Sequence, residues 1–427
     1  MYNKNLMQKN PRIQVILIAL ICLLVGYYFG INKVNFDWTR YHPSISVESK
    51  EPPTGVTNVD FTQFWNVWEK LQTDYYDKSK VDPQKMLNGA IEGMVGSLDD
   101  PFTLYLPPTQ NTDFKQGLAG QFEGIGAELG LSGKQIIIIA PINGSPAQKA
   151  GLRAGDEILA VDGASTASWT LSQAVDKIRG TKGSVVTLTI MHKGDKASKD
   201  YKITRDVITV KSVTAWVKKI SDIDSINIDK KYANEKVAYI DLSQFGDNTN
   251  SEWLSAINQL SLDINKTGGV KGIVFDLRNN PGGYLTDAVF VASEFLPEGT
   301  TVVSEEDKTG SNVLKADRKG LFTDNGTPII VLINKGSASA SEIVAGALKD
   351  NGRAKLAGET SFGKGTVQQA EDLGGGAGLH VTIAKWLTPN GTWVNGKGLT
   401  PDISASLDPA HLEMDNQLGR AVLELVQ

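Results

Sequence analysis

The chain has 427 residues, which at roughly 100–200 residues per domain allows two to four domains. Apolar residues make up 41% and charged residues 21%, a balance that excludes a mostly disordered chain, and 43 glycines without a triplet period exclude a collagen-like one. A formal charge of −5 offers no broad cationic face, so nucleic acid is not expected as a partner. The single cysteine, Cys22, excludes an internal disulfide and a cysteine-rich metal site. The four histidines, His42, His192, His380 and His411, form no HExxH pair, and neither a metal nor a cofactor is expected.

Residues 13–31 read IQVILIALICLLVGYYFGI, without a charge. As a helix at about 1.5 Å per residue they would span roughly 28 Å, close to the hydrocarbon thickness of a bilayer. Lys4, Lys9 and Arg12 precede them and predict a cytoplasmic N-terminus. The exit, Tyr27-Tyr28-Phe29-Gly30, suits an interfacial belt better than a signal-peptidase site, so an uncleaved single-pass anchor is expected. Residues 32–58, with Pro43, Pro52 and Pro53, read as a stalk.

A helical segment follows over 59–112. Phe61, Phe64/Trp65, Trp68, Leu71 and Tyr75 recur at helical spacing, and core packing is expected for this stripe. A second helix is predicted over 83–98, with Asp82 as N-cap and Pro83 at its first position. Residues 113–205 then run strand, glycine turn, strand, short helix, strand, an amphipathic helix over 168–179 and a hairpin around KGDK. This order resembles a circularly permuted PDZ domain, and AGLRAGDEILAVDG carries the resemblance. In such domains the loop occupied here by Gly124, Ile125, Gly126 and Ala127 presents backbone N–H groups to a terminal carboxylate. From Glu235 strands alternate with helices: EKVAYIDLSQF, a helix over 249–265, the continuous apolar run VKGIVFDLR, a helix over 285–296, TPIIVLIN, and a helix over 339–350. Such alternation predicts an α/β domain with mostly parallel pairing over 206–427.

Three segments of that domain carry chemistry. In NKGSASASEIVAGALKD a strand runs into a Gly-Ser turn and then a helix, which can expose a serine where free N–H groups and the helix dipole stabilise negative charge. Local logic does not choose among Ser337, Ser339 and Ser341, and N-capping competes for each, with Glu342 close behind. A serine nucleophile needs a base. His380 is the histidine inside this domain; Lys364, between Gly363 and Gly365, is the other candidate, with Gln368 four residues on. A lysine base must be neutral, which burial favours. DLRNNPGGYL follows a buried strand and turns on two glycines, offering N–H donors for an oxyanion hole. GETSFGKG also approaches a P-loop, but Gly365 stands where a magnesium-binding Ser or Thr is needed.

SASASEI with Asp350 beyond it, GETSFGKGTVQ and an upstream DLRNNPGG together resemble the carboxy-terminal processing (tail-specific) proteases, serine peptidases of family S41 with a PDZ domain. The resemblance runs from about residue 60 to the C-terminus. It implies a multi-domain α/β chain whose protease core resembles the crotonase/Clp-protease type of sheet. It also implies Ser339 as nucleophile, Lys364 as general base and Gln368 as the residue orienting it. The oxyanion donors would be Ala340 and Gly282 or Gly283. Asp350 reads as structural, and Arg153 in the GLRAG turn as a contact through which the PDZ domain could gate the site. Expected substrates are envelope proteins or peptides with apolar C-termini; the membrane would be met through residues 13–31, and a second copy or an adaptor suits this class as a further partner. The body would lie outside the cytoplasm of a bacterial cell. The rival reading is a non-catalytic PDZ scaffold that binds tails without cutting them.

Overall fold

The computed structural model describes residues 21–24, 34–38, 43–47 and 59–427, except 133, 143, 154, 193, 325 and 407–413. The chain divides into two compact units, Met1–Thr112 with Gln368–Thr382, and Asp113–Val367 with Ile383–Gln427. Of the predicted anchor, residues 21–24 are described, as helix, and the rest lies outside the described residues. Among the described residues no helix is long and apolar enough to cross a membrane.

In the first unit the segment read as a stalk carries an antiparallel hairpin, β1 (Val34–Trp38) with β2 (Pro43–Val47). Helix α1 (Thr62–Asp74) forms where the stripe predicts it, yet none of its residues is buried, and Trp65 is 59% exposed. The expected core packing of this stripe is therefore not found among the described residues; its aromatics pack edge to face on one another instead. Helix α2 (Pro83–Gly96) starts as predicted, the Asp82 carboxylate accepting from the Gln84 and Lys85 N–H groups. A small core joins α2 to β3 (Leu104–Leu106) through Val95, Tyr105 and Ala377. Here residues 378–380 pair with β3, His380 opposite Leu104. Helix α3 (Pro108–Leu118) leads out of this unit.

Among the described residues the second unit holds two six-stranded sheets, with smaller strand pairs beside them. A two-stranded ribbon of β4 (Gln121–Gly124) and β11 (Asp206–Thr209) brackets the first sheet. That sheet contains β5 (Ala127–Ser132), β6 (Gln135–Pro141), β7 (Glu157–Val161), β9 (Val185–Met191) and β10 (Lys199–Thr204) in the order β10-β9-β7-β6-β5, with β8 (Ala164–Ser165) on β7. Its buried side alternates strictly in β9, through Val186, Leu188 and Ile190, because successive side chains face opposite sides of a strand. The short helix α4 (Pro146–Lys149) and helix α5 (Leu171–Ile178), the latter started by a Thr170–Gln173 capping box, close that side. Strand β5 ends the sheet and α5 packs beside it, leaving an edge open to an added strand.

The larger sheet has the order β12-β13-β14-β17-β18-β19, formed by β12 (Val213–Lys219), β13 (Lys236–Leu242), β14 (Ile273–Asp276), β17 (Ile329–Ile333), β18 (Lys355–Gly358) and β19 (Ile403–Ser404). β12 pairs antiparallel with β13; every later pair is parallel, as the alternation predicts. Ile273, Phe275, Ile329 and Val331 face helices α6 (Thr249–Lys266), α7 (Leu285–Ala292) and α8 (Ala340–Asp350). Val274, Ile330 and Leu332 face α9 (Asn416–Val426) on the other side. Both faces are covered, which is why these strands read as unbroken apolar runs. Each fully buried Val, Leu, Ile or Phe contributes about 1.5–3 kcal/mol to holding these strands between their helices. A hairpin that the sequence reading missed, β15 (Thr301–Asp307) with β16 (Gly310–Lys315), lies outside this sheet; residues 384–387 pair with β15. The three motif-bearing loops all leave the carboxyl ends of the neighbouring parallel strands β14, β17 and β18, where open α/β sheets place ligands.

Candidate active site

The three serines separate by what their hydroxyls do. Ser337 and Ser341 are fully buried. The Ser337 hydroxyl donates to the Leu277 carbonyl at 2.7 Å and accepts the Asn334 N–H, and the Ser341 hydroxyl donates to the Asn280 carbonyl at 2.9 Å. Both stitch the SASAS turn to the DLRNNPGG loop. Ser339 is half-buried and stands immediately before α8 with φ 55° and ψ −115°. A non-glycine residue held there costs on the order of 1–3 kcal/mol and marks a site that the surroundings over-determine. The turn thus lifts the Ser339 side chain over the N-terminus of α8, the strand–turn–helix geometry of a nucleophile elbow.

The loop carrying Lys364 is fixed through its backbone. The Phe362 N–H donates to the Ser337 carbonyl at 2.9 Å, and the Gly365 N–H to Asn395 Oδ1 at 3.1 Å. Indole N–H groups of Trp386 and Trp393 donate to the Lys364 and Gly365 carbonyls at 2.9 and 2.8 Å. A Cβ on Gly363 would stand 2.8 Å from the Gly398 nitrogen, and one on Gly365 2.6 Å from Trp393 Nε1, so both positions require glycine for close approach. Lys364 is half-buried, its neighbour Phe362 exposed, and Val367 packs against the core.

The glycine turn meets the elbow. An added Cβ on Gly282, whose φ is +95°, would stand 2.7 Å from the Ala338 carbonyl oxygen, 2.8 Å from Ser339 Cβ and 2.9 Å from the Ala340 nitrogen. Buried Asn280 organises the contact: its Nδ2 donates to the Leu242 carbonyl, its Oδ1 accepts the Gly282 N–H, and its carbonyl accepts the Ala338 N–H at 3.0 Å. The Gly282 N–H is thereby engaged, and of the two glycines Gly283 is the exposed one. Phe245 brackets the turn from behind, donating to the Gly282 carbonyl at 2.9 Å and accepting the Tyr284 N–H at 3.0 Å.

Comparison with known proteins matches this arrangement. The profile of peptidase family S41 covers residues 236–405, that of the PDZ domain 116–191, and that described as the activating protease CtpB N-terminal domain 20–109. The carboxy-terminal processing protease CtpB of Bacillus subtilis is 36% identical over 403 residues, 92% of this chain and 78% of that protein. The chain belongs to the carboxy-terminal processing proteases of peptidase family S41. CtpA of the same organism is 37% identical over 81% of this chain and 69% of its own length. The solved photosystem II D1 C-terminal processing protease is similar too, with 32% identity, TM-score 0.50, and coverage of 84% of this chain and 98% of that one. The protein is a serine-type peptidase with a PDZ domain.

The other expected residues of this S41 protease fall as follows. Gln368 lies in the first unit, where its Nε2 donates to Thr382 Oγ1 at 3.1 Å. Asp350 ends α8 and accepts the Asn390 N–H at 3.0 Å, a structural contact. In the PDZ loop Gly124, Ile125 and Gly126 are buried and Ala127 half-buried; the Ile125 carbonyl accepts the Ala147 N–H, and Gly126, at φ 72°, lies against Ser145. Arg153 is exposed, its backbone N–H donating to Asp156. His192 follows β9 of the PDZ sheet, its ring bonded to Asp156 and Tyr201. His411 lies outside the described residues.

An ion network flanks the glycine turn. Arg278 pairs with Asp276 and, through both terminal nitrogens, with Asp415, the N-cap of α9. Burial alone would lower the Arg278 pKa, but the hydrogen bonds with Asp415 and Asp276 raise it overall. Burial, and then the charge of neighbouring Asp276, push Asp241 up to about 6. On the other flank Tyr284 donates to Asp247, and burial raises Asp287 to about 6, the Asp247 charge adding to it. Asn280, Glu342 and this network were missed as site residues in the sequence. Glu342 had a readable signal, standing three residues after Ser339 in a capping-box pattern.

Proposed function

We propose that this protease is anchored in a bacterial cell membrane through residues 13–31, with its body outside the cytoplasm, and cuts proteins whose apolar C-terminal tails dock on its PDZ domain. The tail adds a strand beside β5, and its carboxylate meets the N–H groups around Gly124, Ile125, Gly126 and Ala127. The Ser339 oxygen attacks the scissile carbonyl carbon while the neutral Lys364 amine takes the hydroxyl proton. Negative charge develops on the carbonyl oxygen, facing the N–H of Ala340 at the positive end of α8 and the N–H of Gly283. The tetrahedral intermediate collapses, and the leaving amine departs with the proton from Lys364. Water then attacks the acyl-enzyme, giving a proton to Lys364, which returns it to Ser339 as the acid is released.

The observation that carries this reading is the division of labour among the serines: two hydroxyls are consumed in fixing the turn, and the third, on the strained residue, is held over a helix N-terminus. Coupling to the PDZ domain has a physical basis as well. Asp247 N–H and Asn248 Nδ2 donate to the Leu118 and Ala119 carbonyls at the domain's entry, two and three residues beyond Phe245, which brackets the glycine turn. The test is cleavage of a tailed protein by the full chain. Ser339→Ala and Lys364→Ala abolish cleavage and keep tail binding; His380→Ala cleaves. Activity in Ser339→Ala, or an inactive His380→Ala beside an active Lys364→Ala, overturns the assignment.

A further inference from the structure

The Glu342 side chain is fully buried at the third position of α8. Its carboxylate meets four donors. Oε2 accepts the backbone N–H of Ser339 and that of Lys364, both at 2.9 Å. Oε1 accepts the Ser361 hydroxyl at 2.6 Å and the Gly363 N–H at 2.7 Å. Ser361 is in turn held by the Leu399 N–H at 2.6 Å. A capping box accounts for the bond to Ser339 alone. It does not account for three donors from a loop about twenty residues further on, nor for one oxygen shared by the residue proposed as nucleophile and the residue proposed as base.

We infer that Glu342 is a positioning residue of the reaction, whose carboxylate fixes the backbone of Ser339 and that of Lys364 at one oxygen and so sets the approach of hydroxyl and amine. The inference rests on the reading of Ser339 and Lys364 given above. The chemistry demands a carboxylate. Four donors need four acceptor sites, which two carboxylate oxygens supply. A glutamine has one acceptor oxygen. If that oxygen keeps Ser339 and Lys364, its NH2 faces Gly363 N–H, donor against donor. If it turns over, the shared oxygen is lost. An alanine releases all four donors. Neither change touches the PDZ edge at β5, so substrate docking is unaffected.

The test is steady-state cleavage of a tailed substrate by the full-length chain, with kcat and KM separated and the thermal midpoint measured for each variant. A displacement of about 1 Å between reacting groups costs roughly 10²-fold in rate. Glu342→Ala is expected to lower kcat by about 10²-fold and Glu342→Gln by about tenfold, each with KM within about twofold of wild type. Ser361→Ala, which removes one donor and leaves the shared oxygen intact, folds if the alanine variant at 342 does not, and loses about threefold to fivefold in kcat. Gly268→Ala, remote from these loops, supplies the control for lowered stability alone. Wild-type kcat in a folded Glu342→Gln or Glu342→Ala, a change confined to KM, or an equal kcat loss in Gly268→Ala overturns the inference. With Ser339→Ala inactive, such a result sinks this inference alone; an active Ser339→Ala sinks the site reading and takes this inference with it.

Discussion

Gly282→Ala is the sharpest perturbation of the glycine turn. The new methyl would stand 2.7–2.9 Å from three atoms of the 338–340 segment, where carbon contacts settle at roughly 3.5–4.0 Å. The turn must therefore retreat by about 1 Å from the elbow. Backbone strain at φ +95° adds on the order of 1–3 kcal/mol. A retreat of that size moves the Gly283 N–H, the proposed oxyanion donor, away from its place beside Ser339, and about 10²-fold in kcat is expected to be lost. Gly268 supplies the comparison: it also has positive φ, at 76°, but an added Cβ there meets nothing within 4 Å. Gly268→Ala should cost about 1 kcal/mol of stability as a helix-end glycine and leave kcat intact. Peptide cleavage and urea unfolding, measured on both variants, separate the two effects. If Gly282→Ala keeps kcat within twofold, or if the two variants lose kcat equally, the placement of this turn against the nucleophile is wrong.

Two further expectations concern the ion network. Asp241 has a folded-state pKa raised to about 6, above the ordinary carboxylate value, so the folded chain binds the extra proton between about pH 4 and 6. Its contribution to stability therefore falls as pH rises through that window. Asp241→Asn should be more stable than wild type by roughly 1–3 kcal/mol at pH 7 and equal to it near pH 4, read from unfolding midpoints against pH; a gain independent of pH would contradict the cause given. Arg278→Met leaves the Asp276 and Asp415 carboxylates without their cation. Loss of one partner of such a buried pair costs about 3–5 kcal/mol, measurable by urea unfolding, and a neutral result would contradict the network.

Much of the architecture could be read from local pattern. The apolar runs at 273–276 and 329–333 are strands because both faces are covered, and the Asp82 and Thr170 caps start their helices. Helix α9 is legible too, with Leu418, Ala421/Val422 and Leu425 at helical spacing. The β15–β16 hairpin was missed because its strands carry charges and few buried residues, which blurs the alternation. The aromatic stripe of α1 was readable as amphipathic, but whether anything covers it is a tertiary fact. At the site, strand–turn–helix order narrowed the nucleophile to three serines. What sets Ser337 and Ser341 apart from Ser339, their bonds to the carbonyls of Leu277 and Asn280, lies about sixty residues upstream and is not legible locally. The same holds for Gly282 and Gly283, whose difference lies in Asn280 Oδ1.

The backbone of Ser339 has a consequence for how such an enzyme can decay. A glycine there would relax about 1–3 kcal/mol of conformational strain while removing the oxygen proposed to attack the substrate. Loss of catalysis by that route would make the chain sturdier. On the mechanism proposed above, demand for cleavage and not demand for foldedness keeps a serine in that place.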